Sequence, residues 1–160
     1  METYQQMQEH HQQTINGLPF IFAFSDRQLE EALAKRGMTT SDLEREPLVP
    51  LGGGCYCLKS ELPRINDTMA AMQAELDTAM NDYDFAYGAF LYELGNHEYH
   101  INSYQGDWDV FRCFGSVEWG GDGAGAEHYM KALCYTDVQR RAFYDARKEF
   151  FRRCDENGWW

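Results

Sequence analysis

The chain has 160 residues, a hydrophobic fraction of 44% and a formal net charge of -12 at pH 7. This length and apolar content predict one folded domain over residues 1–160, with residues 1–14 as a candidate flexible segment. No apolar run approaches the roughly 20 residues that span a bilayer, and the first residues lack the basic and apolar parts of a signal peptide. We therefore expect a cytoplasmic protein with no membrane partner.

The first predicted elements are a strand and a helix. The segment LPFIFAFS, residues 18–25, alternates large and small apolar side chains, which is typical of a strand. Its apolar face consists of Leu18, Phe20, Phe22 and Phe24. Ser25 is a candidate N-cap with Gln28 three residues later, and Gly37 is the candidate end of the helix DRQLEEALAKRG.

A loop and a second strand follow. The segment TTSDLEREPLVPLGGG contains two prolines and three consecutive glycines, so we predict a loop over residues 39–54. The next segment, CYCL, predicts a strand that places Cys55 and Cys57 on one face. A second ligand pair for zinc is not apparent in the sequence, and the five cysteines are an odd number, so we expect reduced thiols.

The longest helical pattern begins at Ser60 and continues to Leu94. A single helix of that length would be about 50 Å long, so we predict a break at Asn81 and Asp82, with Asp84 as a candidate cap. Between Arg64 and Arg112 the chain has nine carboxylates and neither Lys nor Arg. This stretch is either a solvated face or an acidic surface for a basic partner, and it argues against direct nucleic-acid binding.

The last third of the chain ends in a helix with a basic side. The segment GDWDVFRCFG predicts a helical turn capped by Asp107, and the glycines of residues 116–130 predict a flexible connection. Thr136 and Gln139 form a capping box at the start of the last helix. The predicted buried stripe is Val138, Ala142, Ala146 and Phe150. The opposite side carries Arg140, Arg141, Arg147, Lys148 and Arg152, which either pair with the protein's own carboxylates or form a second contact face.

The tetrapeptide Gly95-Asn96-His97-Glu98 matches the metal-binding turn of the calcineurin-like phosphoesterases. That family places an Asp-x-His and a Gly-Asp-x-x-Asp-Arg-Gly segment before this turn, and the present chain has neither. Gly95 and Asn96 are also residue types that adopt the left-handed conformation at a helix end, so we predict a helix end and no metal. The alternative is a metal-dependent hydrolase that uses His97, Glu98 and His100 together with Asp107.

Three segments resemble a family of small uncharacterised proteins carried by phages and mobile elements of gut bacteria. They are FIFAFSDRQLEEALAKRG, GGGCYCLKSELPRI and DFAYGAFLYELGNHEYHI, within the first two thirds of the chain. Small acidic proteins of such elements include inhibitors of host defence systems, among them anti-CRISPR proteins. The resemblance implies no catalytic residue.

We predict an α+β fold in which a small antiparallel sheet packs against several helices. The leading functional hypothesis is a non-enzymatic inhibitor or regulator without a cofactor, whose acidic surface binds a basic, nucleic-acid-handling protein. The predicted contact residues are Asp67, Glu75, Asp77, Asp82 and Asp84. The metal-dependent hydrolase is the alternative, and the sequence leaves open a homo-oligomer.

Overall fold

The computed structural model describes residues 2–101 and 103–159, and these residues form an α+β fold, as predicted. The described helices are α1 (Tyr4–Asn16), α2 (Asp26–Ala34), α3 (Leu62–Ala79), α4 (Tyr83–Asn96), α5 (Ser103–Phe111), α6 (Ala126–Ala132) and α7 (Asp137–Asn157). The strands are β1 (Ile21–Phe22), β2 (Leu48–Gly52) and β3 (Cys55–Leu58). Short 3-10 helices cover Thr40–Glu44 and Lys59–Glu61.

The chain divides into two compact units. Unit 2 comprises residues 11–72 and contains the sheet, whereas unit 1 comprises residues 1–10 and 73–160 and contains α4 to α7. The single domain expected for the whole chain stays a prediction.

The sheet of unit 2 is antiparallel, with the strand order β1-β3-β2. The two-residue connection Gly53-Gly54 joins β2 to β3, and both glycines have positive φ, as a type I′ hairpin turn requires. Residues 48–52 were expected in a loop because of the two prolines and three consecutive glycines of this segment, but they form β2. Since β2 is an edge strand and β3 is central, the missing N–H of Pro50 is tolerated there.

Strand β1 is shorter than predicted and buries the opposite face. Ile21 and Ala23 are buried, whereas Phe22 is 62% and Phe24 is 76% exposed. The ring of Phe24 lies over the backbone of Gly54, at a distance that leaves no room for a Cβ on Gly54. The predicted apolar phenylalanine face is therefore wrong at Phe22 and Phe24.

The core of unit 1 lies between α4 and α7. Fully buried side chains on α4 include Phe90 and Leu94, and those on α7 include Phe143 and Ala146. Thr136 and Gln139 form the predicted capping box of α7. Val138 was expected in the buried stripe but is 37% exposed, because the buried position in that turn is taken by Gln139.

Two segments expected to be flexible contain helices. Residues 1–14 include most of α1, whose Tyr4 and Met7 are buried in the core of unit 1. The glycine-rich segment 116–130 includes the start of α6, where Ala126 and Tyr129 are buried. Contacts with distant residues order both segments, and such contacts have no local sequence signal.

Candidate functional site

Glu93, His97 and Cys113 of unit 1 bring together three side chains of metal-ligand type. The His97 Nε2 atom lies 3.4 Å from Glu93 Oε2 and 3.3 Å from Cys113 Sγ. One ligand atom from each residue lies within 4.8 Å of the other two. Glu93 is 1% exposed, whereas His97 and Cys113 are partly exposed. We refer to these residues as the Glu93–His97–Cys113 cluster.

Local helix geometry places the first two members of the cluster. Glu93 and His97 are four residues apart at the end of α4, so their side chains lie on one face of the helix. Cys113 follows α5, and its thiol donates a hydrogen bond to the carbonyl oxygen of Asp109 at 3.3 Å. The cluster therefore forms only when the end of α4 packs against the segment that follows α5.

Three donors hold the buried carboxylate of Glu93. The Tyr4 hydroxyl and the Gln8 amide donate to Oε1 at 2.7 and 3.0 Å, and the Asn96 amide donates to Oε2 at 3.0 Å. A buried carboxylate is costly unless it is hydrogen-bonded, so these donors compensate its desolvation. They also fix the direction in which Oε2 points.

The cluster is not arranged as a cysteine protease-like triad. In such a triad the thiol and the carboxylate contact different ring nitrogens of the histidine, so that the acid orients the base. Here both Glu93 Oε2 and Cys113 Sγ approach Nε2. Burial, followed by the charge of Glu93, raises the pKa of the Cys113 thiol to about 12, so this thiol is protonated rather than activated.

The other residues of the predicted metal alternative do not join His97. Glu98 is exposed and has a left-handed backbone, with φ at 47°. The ring of His100 lies near those of Phe150 and Trp159, with centroid distances of 6.0 and 6.4 Å. Asp107 was expected to cap a helical turn, but it lies inside α5 and accepts a hydrogen bond from the Tyr99 hydroxyl at 2.7 Å.

The predicted acidic contact residues occupy several positions on α3 and at the start of α4. Asp67 belongs to unit 2, and the other four belong to unit 1. Glu75 and Asp77 are two positions apart in α3, so at about 100° per residue their side chains point to nearly opposite sides of the helix. Asp82 caps α4, because its carboxylate accepts the backbone N–H of Phe85 at 2.9 Å. Asp84 is exposed.

Asp77 borders a cavity of about 530 Å³ in unit 1, whereas Asp84 borders a smaller one of about 190 Å³. We call the larger one the Asp77 cavity; its lining includes Asp77, Asn81, Met80, Phe114, Leu133 and Tyr135. The Tyr135 hydroxyl is buried without a hydrogen-bond partner in the described part of the protein. Burial and then the charge of Asp77 raise the pKa of Tyr135, so this hydroxyl stays protonated.

The basic residues of α7 are largely engaged within unit 1. Arg140 pairs with Glu127 at 2.5 Å, and Arg152 pairs with Glu149 at 2.8 Å. The guanidinium of Arg141 lies 4.5 Å from the centroid of the Tyr83 ring. Arg147 lies over the rings of Phe143 and Tyr144, and Lys148 is exposed. These contacts favour the interpretation that the basic residues mainly satisfy the protein's own surface.

Sequence reasoning missed Glu93 and Cys113 as site residues. The Glu-x-x-x-His spacing of Glu93 and His97 on a predicted helix was a signal that could have been used. The participation of Cys113 had no such signal, because it depends on how α4 and the segment after α5 pack.

A family model described as a family of unknown function (DUF7659) matches residues 3–109, which is more than half of the chain. The chain belongs to this DUF7659 family. The matched region includes Glu93 and His97 and ends four residues before Cys113. No curated protein and no solved structure matches the chain. Within the described residues, every helix is too short or too polar to cross a membrane.

Proposed function

We propose that the protein is a non-enzymatic regulator that binds a basic, nucleic-acid-handling protein through the Asp77 cavity. The observation that carries this proposal is the position of Asp77: among the five predicted contact carboxylates, it is the one that lines a cavity of about 530 Å³. That volume lies within the range of sites that enclose a ligand-sized group. The cavity would receive one Arg or Lys side chain of the partner.

The walls of the cavity match the two parts of such a side chain. Met80, Phe114 and Leu133 offer apolar surface for the methylene stem, which packs well against hydrophobic groups. The carboxylate of Asp77 accepts the cationic end, and its Oδ1 atom is already held by the Gln73 amide at 2.8 Å. The Tyr135 side chain forms a further part of the wall.

The surrounding charge favours a basic partner. The chain has neither Lys nor Arg between Arg64 and Arg112, so Asp77 lies in a stretch with no neighbouring cation in the sequence. Complementary potentials accelerate and orient docking. The resemblance to proteins of phages and mobile elements makes a host defence nuclease, with its basic channel, the class of target that we propose.

The test compares charge reversal at two exposed aspartates. We expect Asp77→Lys to abolish recovery of a partner that the tagged wild-type protein captures from host lysate, since a desolvated charge pair is worth at least about 2 kcal/mol, or roughly 30-fold in affinity. Asp67→Lys is the matched control, because it changes the net charge equally at an exposed helical position that does not line the cavity. Asp82 is unsuitable because it caps α4.

A direct probe removes the dependence on the lysate. In NMR titrations, N-acetyl-arginine amide should shift the resonances of residues that line the Asp77 cavity, whereas the uncharged citrulline analogue should not. Equal shifts with both probes, or unchanged partner capture by Asp77→Lys, would refute the proposal.

A further inference from the structure

We propose that the Glu93–His97–Cys113 cluster is a binding site for one zinc-class divalent cation, held by Glu93 Oε2, His97 Nε2 and Cys113 Sγ. The inference is independent of the partner-binding proposal, because the three residues do not line the Asp77 cavity. The ligand set differs from that of the hydrolase alternative, because His97 is the one residue that the two sets share.

The distances from His97 Nε2 to the other two ligand atoms fit tetrahedral coordination. Zinc binds imidazole nitrogen, carboxylate oxygen and thiolate sulfur at about 2.0–2.3 Å, so neighbouring ligand atoms in a tetrahedron lie about 3.3–3.8 Å apart. The two distances from His97 Nε2, 3.4 and 3.3 Å, lie at the lower end of this range. Small side-chain shifts are enough to admit a cation.

Two neighbouring groups compete for one nitrogen of the His97 ring. His97 Nε2 carries at most one hydrogen, and both Glu93 Oε2 and Cys113 Sγ approach it at nearly the same distance. One N–H cannot make two good hydrogen bonds in those two directions. A cation placed among the three atoms would displace the thiol proton of Cys113 to the solvent and be coordinated by all three.

The surroundings have the features of an outer ligand shell. Metal-binding carboxylates are usually held by further hydrogen bonds, and loss of such a bond typically weakens metal binding by about 10- to 100-fold. Tyr4, Gln8 and Asn96 provide these bonds to Glu93. Three protein ligands leave one tetrahedral position open, and the partial exposure of His97 and Cys113 gives water access to it.

A second group of potential ligands provides an internal comparison. Glu2, His10 and Glu75 also bring their ligand atoms within 4.8 Å of one another, but all three are exposed. This group contains no sulfur. A spectroscopic signal from a thiolate ligand therefore distinguishes the two locations.

The experiment is a Co²⁺ titration of the full-length reduced protein, followed by competition with Zn²⁺. We expect one equivalent of Co²⁺ to produce thiolate-to-cobalt charge-transfer absorption together with the intense visible bands of tetrahedral Co²⁺, and Zn²⁺ to remove both. Cys113→Ser and His97→Ala should each weaken binding by at least about 100-fold, more than a typical outer-shell loss.

Matched controls are Cys134→Ser and His10→Ala, which remove an exposed thiol and a ligand of the second group. Both should bind Co²⁺ as the wild type does. Absence of the charge-transfer band in the folded wild-type protein would overturn the proposal without any variant. Retention of the band in folded Cys113→Ser would overturn it as well.

Discussion

Asp107 is a buried carboxyl group with several partners. The Tyr99 hydroxyl donates to it at 2.7 Å, the backbone N–H of Ala126 donates to it, and Arg147 contributes a nearby positive charge. Burial nevertheless raises the pKa of the Asp107 carboxyl group, and these partners only oppose the rise. A carboxyl group whose pKa is raised by folding holds its proton more tightly in the folded state than in the unfolded chain.

This raised pKa predicts the sign of a pH effect. The stabilising contribution of Asp107 is fully present below its unfolded pKa and is lost as the pH rises through its folded pKa. Between about pH 7 and pH 4, the wild type should therefore gain thermal stability relative to Asp107→Asn as the pH falls. Neighbouring Tyr99 and Tyr144 do not titrate in this interval, because burial raises the pKa of both tyrosines.

Melting temperatures across this pH range would measure the effect. The exposed residue Asp122 supplies the control, since Asp122→Asn should follow the wild type at every pH. A difference between wild type and Asp107→Asn that is constant, or that grows toward high pH in favour of the wild type, would contradict the prediction.

Helix α4 ends in a Schellman motif. The backbone N–H of Tyr99 donates to the Leu94 carbonyl at 3.1 Å, and that of Glu98 donates to the Gly95 carbonyl at 3.2 Å. Glu98 is the left-handed residue of this motif, with φ at 47°, whereas Gly95 lies within the helix. The predicted helix end is confirmed, but the choice of Gly95 and Asn96 as left-handed residues is wrong.

The motif predicts that two opposite substitutions both stabilise the protein. Gly95→Ala should raise the free energy of unfolding by about 0.5–1 kcal/mol, because Gly95 is helical and a Cβ there meets no atom within 4 Å. Glu98→Gly should raise it by about 1 kcal/mol, because a left-handed backbone costs a non-glycine residue about that much. Urea denaturation measures both. If Gly95→Ala instead destabilised the protein, this result would contradict the helical conformation of Gly95 and favour Gly95 as the left-handed residue.

The elements predicted best are those whose signals lie within a few residues. The predicted helix caps at Ser25 and Thr136 are confirmed, because each depends on a side chain that accepts a backbone N–H three positions later. Strand β3 is also confirmed, because it depends on a simple alternation of side chains. The break between α3 and α4 was also predicted, although Asp82 and not Asp84 is the cap. Strand β2 was missed because its tolerance of Pro50 depends on its edge position, which is a property of the whole sheet.

The same distinction applies to the candidate sites. The stretch without Lys or Arg was visible in the sequence, but only the packing of α3 against residues 114–116 and 132–136 places Asp77 beside the cavity of about 530 Å³. The sequence likewise drew attention to His97, and the fold supplied its partners Glu93 and Cys113.

At the scale of the whole molecule, unit 1 depends on residues outside the DUF7659 match. The match ends at residue 109, whereas α7 begins at Asp137 and covers α4. Without α7, the α4 side chains Phe90 and Leu94, which are completely buried in the full chain, would be exposed to water. Burying an apolar side chain of this size contributes about 1.5–3 kcal/mol.

We therefore predict that a chain ending at residue 109 loses the cooperative folding of unit 1. Its thermal transition followed by circular dichroism should be broad, and it should bind the dye ANS, which reports exposed apolar surface. A chain ending at Gly158, which retains α7, is the control and should melt cooperatively. Cooperative melting of the shorter chain without dye binding would show that the α4–α7 contact is dispensable.

The discontinuity of unit 1 has a consequence for the order of folding. Unit 2 is one uninterrupted segment. Its β2–β3 hairpin closes through two residues, and a hairpin of this kind forms within microseconds. The bond from Tyr4 to Glu93 instead links positions 89 apart in the chain, and the entropic cost of closing a loop grows with its length. Because of this cost, we expect the first turns of α1 to dock late, after the intervening segment has become compact. Until then the Glu93 carboxylate lacks two of its three donors, so we expect the docking of the N-terminal residues to complete the Glu93–His97–Cys113 cluster.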